Sequence, residues 1–167
     1  MSMTSSRKAT VTLPADDQIL ITREFDAPRH LVYKALTTPE LVKRWFHANR
    51  GVVTSAEIDL RVGGKWRYVG VADSIGEMGF RGEYRELVPN ERIVWTEFYE
   101  GVPEGVAEED ATTVNTATLT ETDGRTTLTV LIQAPSKTAR DAMLESGMEA
   151  GMQDAYDLLE EVARSLG

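Results

Sequence analysis

The sequence predicts an α+β fold: a curved antiparallel sheet of about six to seven strands wrapped around one long C-terminal helix, with two short helices after the first strand. Two patterns carry that expectation. Between residues 52 and 133, apolar and polar residues alternate in segments punctuated by Gly, Pro, Asn and Asp, as half-buried strands joined by turns do. From residue 136 to about 164, apolar residues recur at spacings of three and four, which defines one helical face. A sheet and a helix that each have one apolar face bury them against each other, giving two layers.

The chain opens with a Ser/Thr/Lys-rich and then Pro/Asp-rich stretch, 1–17, expected to be a flexible leader ahead of a single domain at 18–167. Ile19, Ile21, Arg23 and Phe25 then alternate with Leu20, Thr22 and Glu24 in a first strand. Pro28 suits the first turn of a helix whose apolar stripe is Leu31, Val32, Ala35 and Leu36. Thr38-Pro39-Glu40 starts a second helix, roughly 39–46, with an N-cap hydroxyl, proline at N1 and an acid near the positive helix end. This helix carries Leu41, Val42, Trp45 and Phe46.

A strand from Val52 to Leu60 leads to Gly63-Gly64, a hairpin signal, and Trp66, Tyr68 and Gly70 share one face of the return strand. Met78, Phe80, Gly82 and Tyr84 share a face of the next, with Glu77, Arg81, Glu83 and Arg85 opposite. Pro89-Asn90-Glu91 turns the chain into Ile93, Trp95, Glu97 and Tyr99. After a Gly/Pro/acid loop, Glu100 to Asp110, a Thr-rich strand at about 112–121 meets its partner at about 125–133 through Asp123-Gly124. Ser136 is placed to cap the terminal helix, whose buried face takes Leu144, Met148, Met152 or Gly151, Ala155, Leu159 and Val162. An unbroken helix over 136–164 would be about 43 Å long.

Composition excludes several classes. A hydrophobic content of 41% and a charged content of 27% are those of a globular domain. The net charge of −9 argues against nucleic acid, which needs a basic footprint, and against anionic membranes. No apolar run approaches the ~20 residues of a membrane span. Met1 to Lys8 is too polar for a secretory signal, and the absence of cysteine excludes disulfide and thiolate chemistry, so a cytoplasmic location is expected.

Catalytic and metal motifs are equally sparse. Gly63-Gly64-Lys65 lacks the upstream glycine, the Ser/Thr and the helix of a phosphate loop, so it reads as a turn. His30 and His47 are the only histidines and have no partner at metal spacing. His47 reads as a surface residue, or as a polar group at the rim of a pocket. No G-x-S-x-G marks a serine nucleophile. No metal and no cofactor are expected. Gly147 and Gly151 form G-x-x-x-G, but Glu145, Glu149 and Asp154 exclude a membrane reading. Glycine inside a helix costs roughly 1 kcal/mol relative to alanine, so these two suggest a backbone that packs closely on the sheet or leaves space for a ligand. Met148 and Met152 beside them are adaptable apolar fillers.

Five segments in order carry a resemblance: Phe25-Asp26-Ala27-Pro28; Thr38-Pro39-Glu40-Leu41 with Arg44-Trp45; Asp59-Leu60-Arg61-Val62-Gly63-Gly64; Gly82-Glu83-Tyr84 with Pro89-Asn90-Glu91-Arg92; and Gly147-Met148 with Gly151-Met152. Over residues 19–164 the chain resembles the activator of Hsp90 ATPase homologue 1-like (Ahsa1-like) branch of the START-like, or SRPBCC, superfamily. The resemblance implies a helix-grip fold and a deep apolar cavity between the sheet and the C-terminal helix. Where the family often has Trp-Trp and a proline-containing loop, this chain has Trp45-Phe46-His47-Ala48. The co-chaperones that name the family use a separate N-terminal domain to grasp the chaperone, and this sequence offers no room for one.

Alternation points Trp66, Phe80, Tyr84 and Trp95 toward the helix, with Met148, Gly151, Met152 and Tyr156 opposite, and Trp45 joins them at the end of its helix. These are the candidate ligand-binding residues; plain core packing explains each of them about as well. Glu97 shares the alternation of Trp95, and an inward acid there would have a raised pKa and orient a ligand. Pairing with Arg67 or Arg81 is the structural alternative. The acidic loop from Glu100 to Asp110 reads as solvated, and its position would let it act as a lid. Three functions follow: binding of a hydrophobic small molecule, an enzyme of cyclase or hydrolase type using the same cavity, and an interaction module, either a co-chaperone or a homodimer joined through the Met/Gly helix face.

Overall fold

A computed structural model describes residues 8–47, 50–72 and 76–167. Among these residues there are eight strands: β1 (Thr10–Thr12), β2 (Gln18–Phe25), β3 (Gly51–Ile58), β4 (Lys65–Ala72), β5 (Gly76–Val88), β6 (Arg92–Tyr99), β7 (Thr113–Thr122) and β8 (Arg125–Gln133). They form one antiparallel sheet in the order β1-β2-β8-β7-β6-β5-β4-β3. The helices are α1 (Arg29–Thr37), α2 (Pro39–Trp45), α3 (Lys137–Glu145) and α4 (Met148–Ser165).

Alternation decides which face of the sheet is which. Ile19, Ile21, Arg23 and Phe25 of β2 are buried, as are Thr126, Leu128, Val130 and Ile132 of β8 and Thr113, Asn115, Ala117 and Leu119 of β7. These residues face α4, and the intervening positions face outward. The β5–β6 pair carries a bulge between Tyr84 and Glu86, and the inner set continues across it as Tyr84 opposite Trp95. The expected hairpin turns are present, with Gly63 at φ +83° and Asp123-Gly124 at +54° and +77°. Asp59 and Arg61 bond across the first of them at 2.8 Å.

Three expectations are corrected. The stretch read as a leader contributes β1, whose Thr10–Thr12 pair with Thr22–Leu20, so the sheet has eight strands rather than six or seven. The single helix expected over 136–164 is two helices. Ser136 does cap α3, its Oγ accepting from the Ala139 N–H at 3.0 Å. The chain then breaks at Gly147, whose φ of +83° lies in the left-handed region and which is the N-cap of α4. Apolar spacing runs through such a break undisturbed, which is why the periodicity concealed it. Finally, Thr38 is the N-cap of α2, but its hydroxyl makes no capping bond.

Candidate functional site

The inner face of β4–β7 and the first half of α4 bring one carboxylate and a set of rings together. Glu97, in β6, faces inward. Its Oε1 accepts from the Trp95 indole N–H at 3.2 Å and from the Asn115 amide at 3.4 Å. Burial raises its pKa, and the indole hydrogen bond opposes that rise. Glu97 nevertheless keeps part of its surface accessible, as Trp95 and Tyr156 do. Asn115 is only 5% exposed, and its Oδ1 has no hydrogen-bond partner.

Phenols surround this acid. Tyr156 of α4 packs edge-on against Phe25 of β2, ring centroids 5.8 Å apart. Its pKa is raised by burial and then by the nearby Glu97, with Arg23 opposing. Tyr68 is raised first by burial, then by the charges of Tyr84 and Glu97, and its hydroxyl bonds that of Tyr84. Burial pushes Tyr84 up to about 12. Beside them Phe46 packs edge-on against Tyr68 at 4.9 Å and Phe80 at 5.4 Å, and Phe80 also meets Tyr99 at 5.1 Å.

The ten candidates from sequence divide into two sets. Trp45 and Trp66 are buried, and each spends its indole N–H on a backbone carbonyl, Ala35 O at 3.0 Å and Thr96 O at 3.2 Å. Tyr84 is buried beside Tyr68. Phe80, Trp95, Glu97, Met148, Gly151, Met152 and Tyr156 are half-buried. A Cβ on Gly151 would meet nothing within 4 Å, so this glycine leaves space and makes no close backbone contact. His47 is half-buried, its ring is packed against Gly70, and burial lowers its pKa. His30 is exposed. Ala48 lies outside the described residues.

Glu97 does not pair with Arg67 or Arg81. Those arginines stand on the outer face, where Arg67 binds Glu100 at 2.7 Å and Arg81 binds Glu108 at 2.7 Å. An open groove of about 710 Å³ on that face is lined by Arg67, Arg81, Glu83 and Glu108 among others. These pairs tie the acidic loop at Glu100 and Glu108 to the outer face. Among the described residues no group of three or more His, Asp or Glu is arranged to hold a metal, and no helix is long and apolar enough to cross a membrane.

Sequence reading missed Asn115 and the pairing of Arg23. Both carried a signal, since each is a polar residue in register with apolar neighbours on an inner face. Arg23 is 2% exposed and binds Glu160 at 2.6 Å and Asp157 at 2.7 Å, joining β2 to α4.

A curved antiparallel sheet closed by a C-terminal helix is the helix-grip arrangement of START-like proteins. Within that class the chain belongs to the family of Activator of Hsp90 ATPase homolog 1-like proteins, whose family model matches residues 26–164. It is similar to a protein of Rhodobacter sphaeroides at 24% identity and a TM-score of 0.84, with 96% of this chain and 100% of that one covered. A protein of Chromobacterium violaceum shares 27% identity, with a TM-score of 0.72 and coverage of 87% and 96%. An AHSA1-like protein of Aeromonas hydrophila shares 16%, with a TM-score of 0.65 and coverage of 89% and 94%. No functionally curated protein matches the chain.

Proposed function

We propose that this protein binds an apolar or aromatic small molecule between the inner sheet face and α4, with Glu97 setting its orientation. One observation carries the reading. Glu97 and Tyr156 retain accessible surface although burial is the largest cause of their raised pKa values. An inward acid and an inward phenol that both keep accessible surface are what a molecule lying between sheet and helix would meet. Gly151, with open space beside its Cα, and the half-buried Met148 and Met152 add accessible surface on the helix side. A site of mostly apolar lining with a few placed polar groups is the usual form of a small-molecule pocket. START-like proteins commonly use this position for hydrophobic ligands. Binding comes from apolar burial, roughly 25 cal/mol per Å² before the costs of ordering.

The same acid invites a catalytic reading, since a general acid needs a raised pKa. The causes of its shift are burial and the Trp95 indole, with no charged partner among them. That supports a role in orientation ahead of proton exchange.

Native mass spectrometry of freshly purified protein tests the proposal, followed by denaturing extraction of what is bound. A stoichiometric small molecule released on denaturation is the expected result. A bare chain that also fails to take up any apolar aromatic probe at millimolar concentration overturns the reading.

A further inference from the structure

Resting on that binding reading, we propose that the ligand is an apolar or aromatic amine, its protonated nitrogen set on the Glu97 carboxylate and its body against Trp95 and Tyr156. Oε1 of Glu97 accepts twice, from Trp95 and Asn115, while Oε2 receives no donor among the described residues. The Oδ1 of Asn115 is buried without a partner. Oε2 of Glu97, on a side chain that keeps accessible surface, is therefore the acceptor open to a ligand that brings a donor. An unfunctionalised lipid covers that oxygen and leaves it unpaired, and a buried unpaired acceptor is costly. An ammonium brings three donors.

Charge selects the cation among donors. Among the described residues, Arg23 is the arginine or lysine of the inner sheet face, and it is held by Glu160 and Asp157 at 2.6 and 2.7 Å. Lys65, Arg67, Arg81 and Arg85 pair with acids on the outer face. The interior thus holds more carboxylate than cation. A fatty-acid carboxylate would meet Glu97 with no free cation to receive it, whereas an ammonium offsets the burial of that acid. Aromatic faces close by add cation–π attraction. Carboxylate and rings together form an amine site.

Isothermal titration with three probes sharing one naphthalene body tests this: 1-naphthylmethylamine, 1-naphthylmethanol and 1-naphthoic acid at pH 7.5. The amine is expected to bind at least about tenfold tighter than the alcohol, a charge-assisted contact against a neutral one, and the acid weakest. Glu97→Gln should bring amine and alcohol within about threefold of each other. An acid that binds as tightly as the amine overturns the inference, and so does an amine preference that survives Glu97→Gln. Equal binding of all three probes leaves a general apolar pocket and removes this inference alone. Binding of none removes the pocket reading too. If Glu97→Gln fails to fold, the ranking on the native protein decides.

Discussion

Nη1 of Arg23 donates to Oε1 of Glu160 at 2.6 Å across the seam between β2 and α4, and the two residues are only 2% and 4% exposed. The other carboxylate oxygen of Glu160 accepts from the Asp26 N–H at 3.2 Å, and Asp157 takes Nη2 of the arginine. The gripped helix is thus held by a buried ionic clamp as well as by apolar contact. Removing Glu160 takes away the buried partner of Arg23 and leaves it only the exposed carboxylate of Asp157.

Glu160→Ala should therefore cost about 3–5 kcal/mol. For a chain of this size that is a fall in Tm of roughly 10 °C. Replacing both partners, Arg23→Met with Glu160→Leu, should recover most of the loss, because no charge is then stranded. Thermal melts of the single and double variants check this. A single variant that melts with the native protein would show that Asp157 alone holds the arginine.

The glycines of the terminal helices should respond in opposite directions. Gly147 sits at φ +83°, where a side chain costs about 1–2 kcal/mol, so Gly147→Ala should destabilise by that amount. Gly151 lies within α4 with open space beside it, and Gly151→Ala should gain up to about 1 kcal/mol of helix propensity. Urea titrations of the two variants give the comparison. If Gly151 leaves space for a ligand, its alanine variant gains stability and loses affinity together.

Two glycines of β5 differ in what an added methyl would strike. At Gly82 it would run into the backbone carbonyl of Thr96 and the Trp66 indole, which are bonded to each other at 3.2 Å. At Gly79 it would meet the carboxylate end of Glu100, a side chain that can move aside at the cost of its exposed ion pairs with Arg67 and Arg81. Gly82→Ala should cost about 1–3 kcal/mol and Gly79→Ala clearly less. Equal losses in denaturant would mean that strand pairing alone, and no local contact, fixes both positions.

Periodicity made most of this architecture readable. Strand alternation placed Trp95 and Glu97 on one face, and the Gly63-Gly64 and Asp123-Gly124 turns set the hairpins that fix the register. Alternation also contained Arg23, in step with Ile19, Ile21 and Phe25, but pattern alone does not say which distant acid closes a buried charge. Glu160 is 137 residues away. The break at Gly147 was hidden because the apolar spacing continues through it and only a backbone angle reveals it. Glu97 was legible as inward-facing. Its meeting with Asn115 and Tyr68 was not, since these lie on other strands, β7 and β4, and are brought to it only by strand register and the curvature of the sheet.

The buried acid also sets a pH dependence whose sign is fixed by its environment. Burial raises the Glu97 pKa in the folded chain above its unfolded value, about 4.3 for a free glutamate. Above that pH the unfolded chain has released the proton while the folded chain still holds it. Glu97 therefore lowers stability as pH rises toward its folded pKa, after which its effect is constant. Glu100, Glu108 and Asp141 act in the opposite sense, since Arg67, Arg81 and Lys137 respectively lower their pKa values, and their stabilisation is lost as pH falls. The native curve mixes both slopes, and the difference between native protein and Glu97→Gln isolates the first. Arg23, Tyr68, Tyr84 and Tyr156, the charged or phenolic groups around Glu97, are common to both proteins. The variant should be the more stable at pH 7, by about 1.4 kcal/mol for each tenfold change in the acid's proton affinity, and the two should converge below pH 4. Denaturation midpoints from pH 3.5 to 8 measure that difference. A Glu97→Gln variant less stable than the native protein at pH 7 would mean the carboxylate is held by a donor worth more than its desolvation costs, and the binding site would then have to be redrawn around that donor.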